Sequence, residues 1–495
     1  MGVVRKQSII SSLVTYVGFL IGAINVLWLF PHFVGNSGLG LTRVLLDLAM
    51  IFGAACTLGS VPIAFKFFPF YRSYLPREKN DLPFITLFLC TLGCIVFIVV
   101  MPQLKPMIIR KFGERSPLLV EYFDLLYPFT VTMAFFNLFE AYSWSLKRTI
   151  ISNSMKELGF RVLTSIFILA YLFKWVDFGQ FVHLYAYVFL LPALAILIGL
   201  IKTGQFKINF SISSVTRRLK GKIITFASFV FLGNFLNIVA KTNDTIIIAS
   251  QGRRGLVDAA VFSIATYLIT IMEVPQRSLI SITTPFIAEA WHKKDVKKID
   301  RLYKKTALNL LIVGLAIFGV VFLNIHDAVK FLGPTYEPIT VIVLYLGIAK
   351  IIDLGTGMNS QILFLSKYWR VDFLTQVLLV VLSIPLNYWL TVKFGVIGPA
   401  FGNLIALSTF NTVRFLFLWR FFRLQPFSSN NLKALAIALI CFALVYLVPS
   451  TGNIYLNIGI RSLLFLGLYG FIIWKIKASE DISGLFDMAI RKLKR

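Results

Sequence analysis

Gly233–Ile248 reads GNFLNIVAKTNDTIII. It lies inside a run from Ile223 to Ser250 that is long enough to cross a bilayer as a helix. At about 100° per residue, Asn234, Asn237, Lys241, Asp244 and Thr245 fall on one narrow face. Asn243 falls on the other side, and most of the remainder is Phe, Leu, Ile, Val and Ala. An ionisable side chain at membrane depth costs about 2.5–3.5 kcal/mol on insertion scales, so it faces protein or a water-filled space. Two readings follow. Lys241 and Asp244, three residues apart, neutralise each other on the helix surface. Alternatively, the face lines a polar path through the membrane. Similar stripes in other spans favour the second.

Composition fixes the class. The chain has 495 residues, of which 58% are hydrophobic and 14% charged, with a mean hydropathy of +0.81. This is the signature of an all-α polytopic membrane protein and not of a soluble domain. Met1–Lys6 is followed by an apolar run too long for a signal-peptide core and with no small-residue cleavage site, so the first span is expected to stay. Cys56, Cys90, Cys94 and Cys441 all lie in apolar runs without disulfide or zinc spacing, and packing is their expected role. The four histidines are scattered, and no metal site is expected. A net charge of +27 on so apolar a chain belongs to cytoplasmic loops, and no nucleic-acid partner is expected.

Windows of about twenty apolar residues give about fourteen spans. They fall near 8–30, 41–65, 82–101, 118–144, 157–175, 180–201, 222–250, 258–284, 306–325, 337–363, 371–391, 396–419, 432–449 and 456–476. With the N-terminus inside, the inner segments hold roughly three-fold more Lys and Arg than the outer loops, which places both termini in the cytoplasm. The central break, Lys202–Lys222, is expected to carry a short surface helix capped by Ser214 and bearing Arg217, Arg218 and Lys220. Trp291–Lys305 reads as a basic amphipathic segment at the inner surface, and Ile482–Arg495 as an interfacial helix. The halves echo each other: Gly38-Leu39-Gly40-Leu41 opens the second span and Gly255-Leu256-Val257 the eighth. The domain reading is a six-helix bundle over 1–205, a cytoplasmic connector at 206–221, a second six-helix bundle over 222–425, two additional helices within 426–476, and an interfacial tail at 477–495. A pseudo-twofold repeat of this kind places substrate at the repeat interface in transporters.

Further polar residues sit inside the spans. Arg43 and Asp47 are i, i+4 in span two. In span eight, Ser263, Thr266, Thr270, Glu273, Arg277, Ser281 and Thr284 share one face, with Pro275 between the two charges as a source of a kink. Span ten carries Lys350, Asp353, Gly357, Ser360 and Gln361 on one side, and span twelve carries Asn403 and Arg414. Span one has an uncharged stripe of Ser8, Ser11, Ser12, Thr15, Gly18, Gly22 and Asn25. Small-polar stripes alone serve tight helix packing. The cations Arg43, Lys241, Arg277, Lys350 and Arg414 are instead the candidate substrate-binding set, since partly paired cations suit an anion such as pyrophosphate. Asp47, Asp244, Glu273 and Asp353 are candidates for charge pairing or for coupling to H+ or Na+. No nucleotide-binding G-x-x-x-x-G-K-[ST] loop is present, and no buried acid has an obvious catalytic partner, so an enzyme is not expected.

Four stretches carry a family resemblance: Phe33-Val34-Gly35-Asn36-Ser37-Gly38-Leu39-Gly40, Thr242-Asn243-Asp244-Thr245-Ile246-Ile247-Ile248, Ala260-Val261-Phe262-Ser263-Ile264-Ala265 and Lys393-Phe394-Gly395-Val396-Ile397-Gly398-Pro399-Ala400. On these the chain resembles an O-antigen-type polysaccharide-biosynthesis flippase of the multidrug/oligosaccharidyl-lipid/polysaccharide exporter superfamily, with a MATE-like fold. The resemblance implies two six-helix bundles about a central cavity, with helices thirteen and fourteen outside. It implies export of an undecaprenyl-pyrophosphate-linked oligosaccharide by alternating access across a bacterial cytoplasmic (inner) membrane. The implied partners are the lipid-linked oligosaccharide, membrane lipids and other polysaccharide-assembly proteins, and the implied cofactor is at most a coupling ion. Arg277 matches, by placement, the cavity arginine of lipid-linked sugar flippases. Drug exporters of this fold often carry an acid in the first span, and this chain has none. A cation-coupled small-molecule exporter and a membrane-embedded glycan polymerase or ligase are the alternatives.

Overall fold

A computed structural model describes residues 14–146, 148–204 and 206–493. Ser8, Ser11 and Ser12 of the first stripe lie outside the described residues. All regular structure among the described residues is helical. That follows from the composition, because in lipid each backbone N–H and C=O must be satisfied within its own segment.

The chain divides into two compact units, Met1–Ala260 and Val261–Arg495. In the first, α1 (Val14–Val34) ends in a π-helical stretch, Asn25–Val34, that contains Pro31. Next come α2 (Asn36–Cys56), α3 (Ser60–Tyr74), α4 (Leu82–Phe112) and α5 (Leu126–Ser145). Residues 149–172 form α6, with a π-helical turn at Met155–Gly159. After α7 (Phe178–Ala186) and α8 (Leu190–Ile201) comes α9 (Ser214–Gln251), which packs on α2 and α3. The expected single span over 41–65 is two helices. Leu58 and Gly59, both at positive φ, break it between α2 and α3.

The connector also differs from expectation. The helix cap is Ser213, whose hydroxyl accepts from the Thr216 amide at 3.2 Å, and not Ser214. No separate surface helix forms there among the described residues. The basic turn bearing Arg217, Arg218 and Lys220 runs straight into the span as one helix of 38 residues. At 1.5 Å per residue it is about 57 Å long, well beyond a hydrocarbon core of about 30 Å, so its charged first turns project past the apolar layer.

Close backbone approach organises this unit. A Cβ on Gly40 would sit 1.9 Å from the Leu256 carbonyl oxygen, and one on Gly93 would sit 2.0 Å from that of Cys56. Only glycine permits either crossing, as in small-residue interfaces of membrane helices. All four cysteines are buried and unbridged.

In the second unit, α10 (Leu256–Thr270) enters from the first and meets α11 (Glu273–His292) at a 47° bend. Pro275, in the first turn of α11, has no N–H to continue the ladder across that break. Trp291–Lys305 forms the corner between α11 and α12 (Val296–Leu323), with the Trp291 indole donating to the Ile362 carbonyl at 3.1 Å. Then follow α13 (Ile339–Gly355), α14 (Asn359–Leu365), α15 (Trp369–Phe394) and α16 (Gly398–Phe422). The last two form a hairpin turned at Gly395, φ +64°. The pair α17 (Ser429–Tyr446) and α18 (Ile454–Lys475) packs on α12, and the tail helix α19 (Glu480–Leu493) is tied back by Trp474 donating to Asp487 at 2.8 Å.

Among the described residues, 10 helical segments are long and apolar enough to cross a membrane, or 11 with the bent pair as one span. One of those segments, Trp369–Phe422, spans 54 residues and contains the α15–α16 hairpin. The chain is a multi-pass membrane protein.

Candidate functional site

The polar face of α9 changes character along its length. Asn234, Asn237 and Lys241 are exposed, whereas Asp244 and Thr245 are buried. Lys241 has no ion pair or hydrogen bond among the described residues, so it does not neutralise Asp244. Thr245 instead donates to Asp47 Oδ2 on α2, a contact between positions 198 residues apart. The Arg43 Nε donates to the same oxygen at 3.0 Å. Asp47 is fully buried, and its Oδ1 has no hydrogen-bond partner. The result is a guanidinium, about one-third exposed, held at the edge of a buried carboxylate. Asn243, expected off this face, is buried and bonded to the Val239 and Ala240 carbonyls of its own helix.

The second unit assembles a larger network. The Lys350 ammonium on α13 lies 2.9 Å from Asp353 Oδ2 and 3.5 Å from Glu273 Oε1. It also donates to Gln276 Oε1 at 2.8 Å, and Gln276 Nε2 donates to Asp353 at 3.1 Å. Asn411 of α16 donates to Asp353 Oδ1 at 3.4 Å and accepts from Thr356 and Asn359. Arg277 donates one nitrogen to Glu273 Oε2 at 3.0 Å, with its side chain 53% exposed. One end of this network is therefore buried and closed, and the other presents a guanidinium with donors to spare.

Arg414 stands apart. It is 3% exposed, donates to Asp372 and to Thr375 Oγ1 at 2.9 Å, and lies 3.8 Å over the Phe410 ring. Asp372 also accepts from Ser360 at 2.9 Å and Gln376 at 3.0 Å. Asn403, on the same span, accepts from Asn387 at 3.2 Å. Arg414 is committed to Asp372, a structural knot of α14, α15 and α16.

The sequence reading missed Asp372, Gln276, Asn411 and Glu140. Asp372 follows Lys367 and Arg370 at a span edge and reads as a loop charge. Glu140 lay inside the expected fourth span, where a lone carboxylate at membrane depth is itself a signal. Its Oε2 accepts from Lys156 at 3.0 Å. No group of three or more His, Cys, Asp or Glu among the described residues is placed to hold a metal ion.

No family model matches the chain, and no curated protein matches it in sequence. Solved structures do match its fold. "Lipid II flippase MurJ, inward closed conformation" aligns over 98% of this chain and 100% of that one, with a TM-score of 0.74 and 15% identity. An inward-facing multidrug resistance MATE family transporter of the MOP superfamily aligns over 83% of this chain and 98% of that one, with a TM-score of 0.63 and 15% identity. A MOP superfamily transporter from Pyrococcus furiosus, described as having a binding pocket of reversed polarity, aligns over 84% of this chain and 94% of that one, with a TM-score of 0.52 and 14% identity. The superfamily resemblance read from the sequence is thus borne out at the level of fold: the chain has the architecture shared by MurJ and the MATE transporters.

Proposed function

We propose that this protein is a flippase that carries an undecaprenyl-pyrophosphate-linked oligosaccharide from the inner to the outer leaflet of a bacterial cytoplasmic membrane by alternating access. The reading retains the six-plus-six division about the 206–221 connector. Its main support is two exposed cationic groups in apolar spans, one with no partner among the described residues and one paired on a single side. Lys241 is exposed without a partner among the described residues, and Arg277 gives one nitrogen to Glu273 while over half exposed. Such groups are costly at membrane depth unless water or an anion meets them. A pyrophosphate, with oxygens for both point-charge and forked contacts, is a fitting counterpart. Arg43, one-third exposed, is the third phosphate ligand of the proposal, and Lys350 sets the charge of the Glu273–Arg277 pair from behind. Asp47, Asp244, Glu273 and Asp353 are the groups through which H+ or Na+ would couple.

Likeness to the flippase fold over essentially the whole chain favours a lipid-linked substrate, whereas the MATE matches cover less of it. The second reading, a cation-coupled exporter of small molecules, draws on those MATE matches and on the buried acids. Arg277→Ala and Lys241→Ala separate the two in cells whose surface glycan depends on this chain. The flippase reading expects export to be lost at normal membrane abundance, with drug resistance unchanged. Intact export in Arg277→Ala, Lys241→Ala and Arg43→Ala alike removes the assignment.

A further inference from the structure

Within the first unit, a cavity of about 300 Å³ opens between α2, α3, α5 and the middle of α9, and a second of about 200 Å³ adjoins it. The two share Asn137, Glu140 and Asn234 as walls, and Asn237 lines the larger. Most of their hydrogen-bonding capacity is unused inside the fold. The side chains of Asn137, Asn234 and Asn237 make no hydrogen bond among the described residues. Glu140 is 7% exposed, and its Oε1 has no partner. A buried carboxylate oxygen left without a donor costs about 1–3 kcal/mol or more, and with three amides that make no hydrogen bond among the described residues beside the same space, it points to a ligand that pairs with them.

The chemistry of that ligand follows from the walls. Each amide offers donors and an acceptor, and the carboxylate oxygen only accepts, so a hydroxyl, which both donates and accepts, fits every one. Aromatic rings line part of the remaining wall, beside Val61, Pro62 and Val230: Trp144 and Phe65 meet edge to face at 6.3 Å, and Phe226 carries Lys66 at 3.5 Å on one face. Convergent polar groups beside aromatic faces suit a ring with hydroxyls on its rim and C–H bonds on its faces. A cation fits less well, because the Lys156 ammonium already holds the other Glu140 oxygen at 3.0 Å and would repel it.

We infer that Asn137, Glu140, Asn234 and Asn237 form a sugar-binding subsite that holds a neutral ring of the translocated glycan. This rests on the flippase reading, and it assigns to the first unit a contact with the sugar that is separate from the phosphate contacts.

The test compares two probes on purified full-length protein: undecaprenyl pyrophosphate alone, and the same lipid carrying a disaccharide. Asn234 and Asn237 are exposed, so Asn234→Ala/Asn237→Ala is expected to fold, and Glu140→Gln keeps the shape of the buried group. Loss of two hydrogen bonds predicts about ten-fold weaker binding of the sugar-bearing lipid, with the bare lipid unchanged. Equal weakening of both lipids, or of neither, overturns the subsite. A sodium-dependent rise in melting temperature that is lost in Glu140→Gln overturns it in favour of a cation site. Failure of the wild type to bind either lipid defeats the flippase reading itself, and the sugar assignment with it, a pattern distinct from the others.

Discussion

Asp372→Ala separates a structural role for Arg414 from a role in substrate binding. The carboxylate it removes accepts from Arg414, from Ser360 at 2.9 Å and from Gln376 at 3.0 Å. Both partners of the ion pair are about 95% buried. Removing one member of such a pair leaves the other desolvated and uncompensated, at a cost of about 3–5 kcal/mol. The Thr375 hydroxyl and the Phe410 ring remain to Arg414, but neither carries a countercharge. For a unit of this size each kcal/mol moves the melting temperature by about 2–4 °C, so a fall on the order of 10 °C is expected. Thermal unfolding in detergent, followed by loss of the monodisperse species, measures it. Asp372→Leu/Arg414→Met removes both charges and is expected to lie within about 1–2 kcal/mol of wild type, because apolar replacement of a buried pair is often neutral or stabilising. The double variant should also transport. An unchanged melting temperature in Asp372→Ala refutes the structural argument. A stable but transport-dead double variant returns Arg414 to the substrate-binding set.

Other consequences are equally direct. Gly40→Ala places a methyl group 1.9 Å from the Leu256 carbonyl oxygen and should cost about 1–3 kcal/mol, read as a lower melting temperature. Thr245→Val deletes the hydroxyl that donates to Asp47 and should cost about 1–3 kcal/mol, with Thr245→Ser restoring most of it. At the corner between α11 and α12, hydrogen bonding from Lys293, and then its charge, hold the Glu289 carboxyl below the usual carboxylate range. A depressed carboxyl stabilises the fold above its ordinary pKa, and that contribution disappears as pH falls through the lowered value. Glu289→Gln should therefore flatten the acid side of the melting profile, and an identical profile would count against the pair.

How much of this was readable beforehand depends on distance along the chain. Apolar runs and loop charges suffice for an all-helical membrane protein, because the bilayer imposes length and hydropathy on each span separately. The Phe394-Gly395 turn was also legible, since a glycine there permits the positive φ that reverses the α15–α16 hairpin. The break at Leu58–Gly59 was not, because a non-glycine residue at positive φ is sustained by tertiary context. The same rule governs the site. Arg43–Asp47, Glu273–Arg277 and Lys350–Asp353 are neighbours on a helix and follow from periodicity. Thr245 with Asp47, Arg414 with Asp372 and Lys156 with Glu140 join different helices. Periodicity says which face a residue occupies and is silent on what faces it.

The most direct measurement is leaflet translocation in proteoliposomes, using a defined undecaprenyl-pyrophosphate-linked oligosaccharide with and without imposed H+ and Na+ gradients. A flippase working in this way transfers the lipid in the wild type, faster under an ion gradient, and loses transfer in Arg277→Ala protein that is folded and inserted. No transfer by the wild type under any gradient, or equal transfer by Arg277→Ala, would contradict the flippase reading.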